Sequence, residues 1–245
     1  ELNEPVIIMH AQLHEDIGVC KLDDIGPLMV YMAEKASVPV CVHLDHGTDM
    51  SYVKRALELG FTSVMFDGSH LDVEENIAMT KKVIALAKPY GAAVEAEIGC
   101  VGGSEDGSVD IAMRCTSPDQ AEIFAERTGV DALAIAVGNA HGPYKLPRKL
   151  DFERIRTIAK TVDVPLVLHG GSGIPDDQVK AAIKAGIRKM NIGTDVCCAF
   201  AEGTKETLDD PNRSLAVDLF MKHPIETVKK LALDKIKLCG ADNKA

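Results

Sequence analysis

Short apolar runs recur along this chain, and a stretch patterned for a helix follows nearly every one. Seven runs read as strands: 6–10, 38–44, 62–67, 92–98, 132–137, 164–169 and 189–192. Helical patterns fall between them, at 51–59, 73–88, 118–128, 151–161 and 176–185. Strands this apolar are covered on both faces, which is the habit of parallel sheets. Strand–helix alternation builds α/β folds of repeated βα units. The punctuation agrees. Ser117-Pro118 reads as an N-cap followed by proline at the first helical position. Gly60, Gly91, Gly129 and Gly186 each follow a helix, as a left-handed C-cap requires. Residues 38–43, VPVCVH, also recur as VPLVLH at 164–169, an offset of 126 that argues for one βα unit used more than once.

No linker or low-complexity segment divides the 245 residues. Barrels of (β/α)₈ type run to about 250 residues, so one domain spanning 1–245, with helices from about residue 214 at its C-terminal end, is the expected organisation. Seven strands are one short of such a barrel, and the expectation is that a first N-terminal βα unit lies outside this sequence. No apolar run reaches the ~18 residues of a membrane span, and no secretory signal is legible. A net charge of −10 disfavours nucleic acid as a partner, though a small anionic substrate can still meet a locally positive pocket. The seven cysteines are odd in number and form no CxxC pair, which points to reduced thiols in a cytoplasmic protein.

Chemistry in parallel α/β folds collects at the carboxyl ends of strands, and these strand ends are polar. The second runs into His43-Leu44-Asp45-His46-Gly47. Asp67 closes the third, Glu95 and Glu97 the fourth, His169 the sixth and Asn191 the seventh, while His141 follows the fifth. Three histidines at one sheet edge make a site of the catalytic zinc kind, with three protein ligands and an open position. The alternative for each histidine alone is a structural role. Gly170-Gly171-Ser172-Gly173 and Gly193-Thr194 stand before helix starts, where backbone amides bind phosphate. Residues 99–107, rich in glycine and acids, read either as a solvated loop or as a lid that carries a carboxylate into the site.

Together these pieces resemble the class II, zinc-dependent ketose-bisphosphate aldolases. The likeness is carried by His43-x-Asp45-His46-Gly47, by Glu95-x-Glu97-Ile98-Gly99-x-x-Gly102-Gly103-x-Glu105, by Asn139-Ala140-His141-Gly142 and by His169-Gly170-Gly171-Ser172. The resemblance implies a TIM barrel, and it implies a reaction: cleavage of a phosphorylated ketose to dihydroxyacetone phosphate and an aldehyde. By the same resemblance His46, His141 and His169 hold Zn²⁺. Asp45 is the acid/base at the hydroxyl of the departing aldehyde, and Glu105 exchanges the proton on the carbon alpha to the carbonyl. Asn191 contacts the ketose hydroxyls. Gly142, Lys145, Gly170, Ser172 and Thr194 hold the phosphate, with a monovalent cation nearby. Asp67 and Glu97 match positions that take a second or displaced metal, and a homo-oligomer is implied.

Fructose-type members read Asn-Ile-Asp-Thr-Asp where this chain has Asn191-Ile192-Gly193-Thr194-Asp195, and Cys197 stands where a basic residue is usual. Fructose 1,6-bisphosphate is the expected substrate; tagatose 1,6-bisphosphate, another ketose 1-phosphate, or an inactive zinc-binding barrel remnant remain alternatives. Several residues are less telling. His43 either orients Asp45 or is a satisfied core histidine. His10 and His14 read as structural in preference to site-lining, and His70 is open between the two. His223 reads as surface, Cys197 and Cys198 as packing residues, and Lys229, Lys230, Lys235 and Lys237 as a solvated helix face.

Overall fold

The computed structural model describes residues 2–101, 115–140, 142 and 149–245. Its frame is a seven-stranded, wholly parallel sheet with strands in sequence order. The strands are β1 (Val6–Ala11), β2 (Val40–Gly47), β3 (Ser63–Phe66), β4 (Ala93–Ile98), β5 (Ala132–Ile135), β6 (Leu166–Leu168) and β7 (Ile187–Met190). Helices α1 (Gln12–Asp16) and α2 (Leu22–Lys35) follow β1. Then α3 (Met50–Glu58), α4 (Val73–Ala87), α5 (Pro118–Thr128), α6 (Phe152–Thr161) and α7 (Asp176–Ala185) each precede the next strand. Beyond β7 come α8 (Thr194–Asp209), α9 (Val217–Phe220) and α10 (Lys222–Cys239). Among the described residues no helix is long and apolar enough to cross a membrane.

The seven strands fall on the apolar runs, but β2 and β7 are displaced: β2 starts two residues later than expected and runs on to Gly47. β7 begins at Ile187, two residues before the expected start, because Gly186 alone separates it from α7. Ile187 is 1% exposed and joins the core. Helix α2 was not visible in the pattern: Gly26-Pro27 reads as a breaker, yet both lie inside it. Gly26 is tolerated because it lets the helix approach Phe61 and Leu59, within 3.1–3.2 Å of where a Cβ would stand. Asp49, Asp72 and Asp151 cap α3, α4 and α6 by accepting the amides of Ser51, Glu75 and Arg154, each contact contributing about 1 kcal/mol. Ser117 occupies the N-cap of α5 with Pro118 after it, but its side chain makes no capping bond.

The sheet is curled. Five strand spacings of about 4.8 Å would hold β2 and β7 roughly 24 Å apart in a flat sheet. Instead Asn191, just past β7, donates a 2.9 Å hydrogen bond to Asp45 on β2. The two-residue period of each strand then divides the sheet into unlike faces. Val42, Leu44, Val64, Val94, Ala96 and Leu133 point outward into one apolar cluster shared with the helices. His43, Asp45, Glu95 and Glu97 alternate with them and are also buried, at 1–4% exposure, so the concave face is polar.

Gly47 marks how closely neighbouring strands approach beside the site. A Cβ there would stand 2.7 Å from the Met65 carbonyl oxygen and 3.1 Å from Leu44 and Val53. Gly47→Ala is therefore expected to cost about 1–3 kcal/mol by overpacking. At ~2–4 °C per kcal/mol for a chain of this size, thermal unfolding followed by circular dichroism should show a Tm lower by several degrees.

Candidate active site

His46 lies where β2 breaks its register with β3, between Leu44 and Gly47. Its φ of +45° is in the left-handed region, which costs a non-glycine residue of order 1–3 kcal/mol and occurs mainly at functional sites. The turn brings its ring against Asp67, whose Oδ2 accepts from His46 Nδ1 at 2.8 Å. From the far side of the curl, His169 Nε2 donates to Glu95 Oε1 at 2.9 Å. A carboxylate can only accept. Nδ1 of His46 and Nε2 of His169 therefore carry hydrogen, and Nε2 of His46 and Nδ1 of His169 are the nitrogens not committed to these carboxylates. Those two nitrogens face each other at 2.9 Å. One proton serves both rings: the charge held on His46 puts a hydrogen on its Nε2 for His169 Nδ1 to accept, and a metal between the rings would take that proton's place.

The electrostatics of the cluster agree. Burial works against a charge on His46, but Asp45, Asp67 and Glu97 overcome it and hold its pKa well above the usual imidazole value. Burial and the neighbouring His46 pull His169 down. Asp45 stays below the ordinary carboxylate range despite its burial, because His46, His169 and Lys189 surround it. Glu97 goes the other way: burial and the charge of Asp67 push it up to about 8. One of its oxygens is buried with no hydrogen-bond partner among the described residues. Asp45, His46 and His169 can each offer one ligand atom within 4.8 Å of the others, and so can His46, Asp67 and Glu97. Histidines that pass their second N–H to a carboxylate are the usual preparation for a metal, and an acceptor left without a partner is where a cation is accommodated. The residues therefore fit a divalent metal.

A cavity of about 360 Å³ opens beside this cluster, and Asp45, Gly142, Gly170, Ser172, Asn191 and Thr194 are among the residues lining it. Thr194 is the first residue of α8, whose N-cap Gly193 supplies no side chain. Ser172 Oγ instead accepts the Asp195 amide at 3.0 Å, leaving its own hydrogen to donate. Asp195 was not singled out by sequence, yet it accepts from the Gly173 amide at 3.0 Å and pairs with Lys235 at 2.7 Å. It thus ties the glycine loop, α8 and α10 together, and Lys235 is not part of a solvated face. Asn139 links two strand ends, donating to the His169 carbonyl at 3.0 Å and accepting from the Val137 amide at 2.7 Å.

The expected site residues Glu105, His141 and Lys145, with most of the 99–107 loop, lie outside the described residues. Of the less telling residues, His43 is not bonded to Asp45, whose oxygen is 4.0 Å away. It bonds Ser63 and Lys189 instead. His10 is buried against the Tyr52 hydroxyl, whereas His14 lines the cavity. His70 is exposed, and His223 sits on the surface bonded to Glu206. Cys197 and Cys198 are exposed, not packed, and Cys197 lines the cavity. Their helix begins at Thr194, and its first turn turns them away from the core. Sequence reasoning gave no role to Lys189. The available signal was its spacing: two residues before Asn191, it shares the concave face of β7.

Groups able to hold a metal and an anion, gathered at the carboxyl ends of parallel strands, place this protein among the α/β enzymes built around such an edge. It belongs to the class II fructose-bisphosphate aldolase family, whose profile matches residues 1–244. The protein YdjI of Escherichia coli (strain K12) is 43% identical over 246 residues, covering 100% of this chain and 86% of its own. The crystal structure of the YdjI aldolase superposes with a TM-score of 0.86 at 41% identity, covering 99% of this chain and 84% of that one. The sulfofructosephosphate aldolase of Alkalicoccus urumqiensis is 40% identical over 256 residues, covering 100% of this chain and 85% of that protein. The 6-phospho-5-dehydro-2-deoxy-D-gluconate aldolase of Shouchella clausii (strain KSM-K16) is 43% identical over 209 residues, covering 85% and 71%.

If the two facing nitrogens hold a metal, His169→Ala should abolish tight Zn²⁺ binding in isothermal titration, while His223→Ala should leave it unchanged. Equal affinity in the two variants would remove His169 from the ligand set.

Proposed function

We propose that this chain is a zinc-dependent aldolase that cleaves a phosphorylated ketose between its third and fourth carbons, releasing dihydroxyacetone phosphate and an aldehyde. One observation carries the reading. Two imidazoles, each aimed by a carboxylate, converge beside Asp45 at the mouth of a cavity whose other wall is the glycine loop and the start of α8. His46 and His169 would hold the metal, with His141 as the third ligand; Asp67 and Glu97 would take a second or displaced ion. Bound there, zinc supplies a Lewis acid that polarises the ketose carbonyl and lowers the energy of the enediolate.

The chain's own residues do the rest. Asp45, ionised by its positive neighbours, takes the proton from the hydroxyl on the fourth carbon. The C–C bond breaks, that oxygen becomes the aldehyde, and the bonding pair passes to the three-carbon fragment. Glu105 returns a proton to the third carbon. Asn191 fixes Asp45 through its Nδ2, while its Oδ1 is buried with no partner among the described residues, an acceptor for a ketose hydroxyl. Ser172, Thr194 and the amides of Gly142 and Gly170 receive the phosphate with Lys145, a monovalent cation beside them.

Fructose 1,6-bisphosphate is the substrate proposed first. Gly193 and the cavity-lining Cys197 favour, as a second reading, tagatose 1,6-bisphosphate or another ketose 1-phosphate. In this reading the seven-stranded arc is of (β/α)₈ barrel type and residues 1–245 form one domain. The seven free thiols support a reducing, cytoplasmic setting.

Retro-aldol activity toward these sugars is expected to disappear with a chelator and return with Zn²⁺. Turnover that survives the chelator would exclude the metal mechanism, and bound zinc without cleavage of any ketose phosphate would favour a remnant. Asp45→Ala should retain zinc and lower kcat by about 10²–10⁴, measured by coupled assay; loss of zinc instead would make Asp45 a ligand.

A further inference from the structure

Behind the two histidines, a line of buried polar groups crosses the interior of the curled sheet. Ser63 on β3 bonds His43 Nδ1 at 2.8 Å. His43 Nε2 meets Lys189 Nζ of β7 at 3.2 Å, and Lys189 donates to Glu95 Oε2 on β4 at 2.7 Å. The other oxygen of Glu95 accepts from His169 Nε2 at 2.9 Å. His43, Glu95 and His169 are no more than 2% exposed, and the Lys189 side chain is 12% exposed. Burying such a pair strips both ions of their hydration, and an apolar pair of the same volume is often as stable or more so. Stability alone gives no reason for a lysine and a glutamate here.

The direction of each bond supplies one. An ammonium only donates, so His43 Nε2 must accept and its Nδ1 must carry the hydrogen given to Ser63. The ammonium holds one oxygen of Glu95 and leaves the other aimed at His169. That oxygen only accepts, so His169 Nε2 must donate and Nδ1 must face His46 and Asp45 with its electron pair. We propose that Lys189 and Glu95 are positioning residues that fix the tautomer and ring orientation of His169 for the divalent metal. This rests on the metal-site reading above. It also accounts for His43, which anchors the far side of the lysine.

Glu95→Gln separates this from a packing role because it keeps the volume. Lys189 would still claim the one oxygen of the amide, so the NH₂ would face His169 Nε2 and could only donate. The ring would be forced into the Nδ1–H tautomer, its electron pair turned from the metal. Removing the ammonium as well, in Glu95→Gln/Lys189→Met, frees the amide to turn its oxygen back to Nε2.

Zinc affinity measured by competition with a chromophoric chelator should fall 10–100-fold in Glu95→Gln and recover at least threefold in the double variant. Long-range ¹H–¹⁵N spectra of the metal-free proteins should show His169 protonated on Nε2 in the wild type and on Nδ1 in Glu95→Gln. Circular dichroism checks that each variant is folded, and the double variant, which buries neither charge, guards against collapse of the single one. Wild-type affinity in Glu95→Gln, or a double variant no tighter than the single, overturns the positioning role while leaving the metal site intact. A folded wild type that binds no zinc overturns the metal site, and this inference with it.

Discussion

The site depends on a constraint as plain as the two-residue period of a strand. Because alternate side chains point to opposite faces, Val42 and Leu44 pack outward while His43 and Asp45 point inward, and Glu95 and Glu97 alternate with Val94, Ala96 and Ile98 in the same way. A flat sheet with such a face would leave it in water, its groups independent of one another. The curl closes that face on itself, so each buried donor or acceptor must be answered across the interior. Lys189 answers Glu95 across three strand positions, and Asn191 answers Asp45 across five. Fold and site are thus one arrangement: the apolar half of each strand holds the helices, and the polar half is forced into a network.

Within that network, position is held by backbone as much as by side chains. His46 takes its strained conformation at the point where β2 and β3 lose register. Without that turn its ring would follow the strand's alternation and could not reach Asp67 across the neighbouring strand. On the opposite side, the Gly171 amide donates to the Asn191 carbonyl at 2.9 Å. A Cβ on Gly171 would stand 2.8 Å from that same oxygen, so the glycine loop and the start of α8 are held together by a contact only glycine allows.

Much of this was legible in the sequence, and the reason is local. The seven strands were visible as apolar runs, and the acids and histidines at their ends as exceptions to those runs. Six of the expected site residues, Asp45, Gly142, Gly170, Ser172, Asn191 and Thr194, line one cavity. What escaped was non-local. Lys189 looks like an ordinary charge until β7 comes round to meet β2 and β4. Asp195 looks like an acid in a helix's first turn until α10 brings Lys235 to it. His43 could be read two ways because its neighbour in sequence, Asp45, is not its partner in space. Helix α2 was hidden by Gly26-Pro27, whose cost is offset by packing against Phe61 that no local pattern displays.

The charges at the centre follow one logic. Asp45, Asp67, Glu95 and Glu97 stand close together, and among the described residues Lys189 is the lysine that pairs with any of them. The remaining negative charge cannot stand unanswered in so dry a place. It draws positive charge onto His46, whose pKa Asp45, Asp67 and Glu97 raise against burial, and it adds to the burial that keeps a proton on Glu97, pushed up to about 8. These two groups take up protons beside the other buried carboxylates. They are also groups whose atoms converge on common points. A divalent cation entering there would take the place of those protons and be compensated by the same carboxylates, which is how metal affinity comes to be coupled to proton release. On this view the buried acids are not a cost the fold tolerates at its edge. They are the reason a strained histidine, a buried lysine and a glycine loop are all kept at the same end of the sheet.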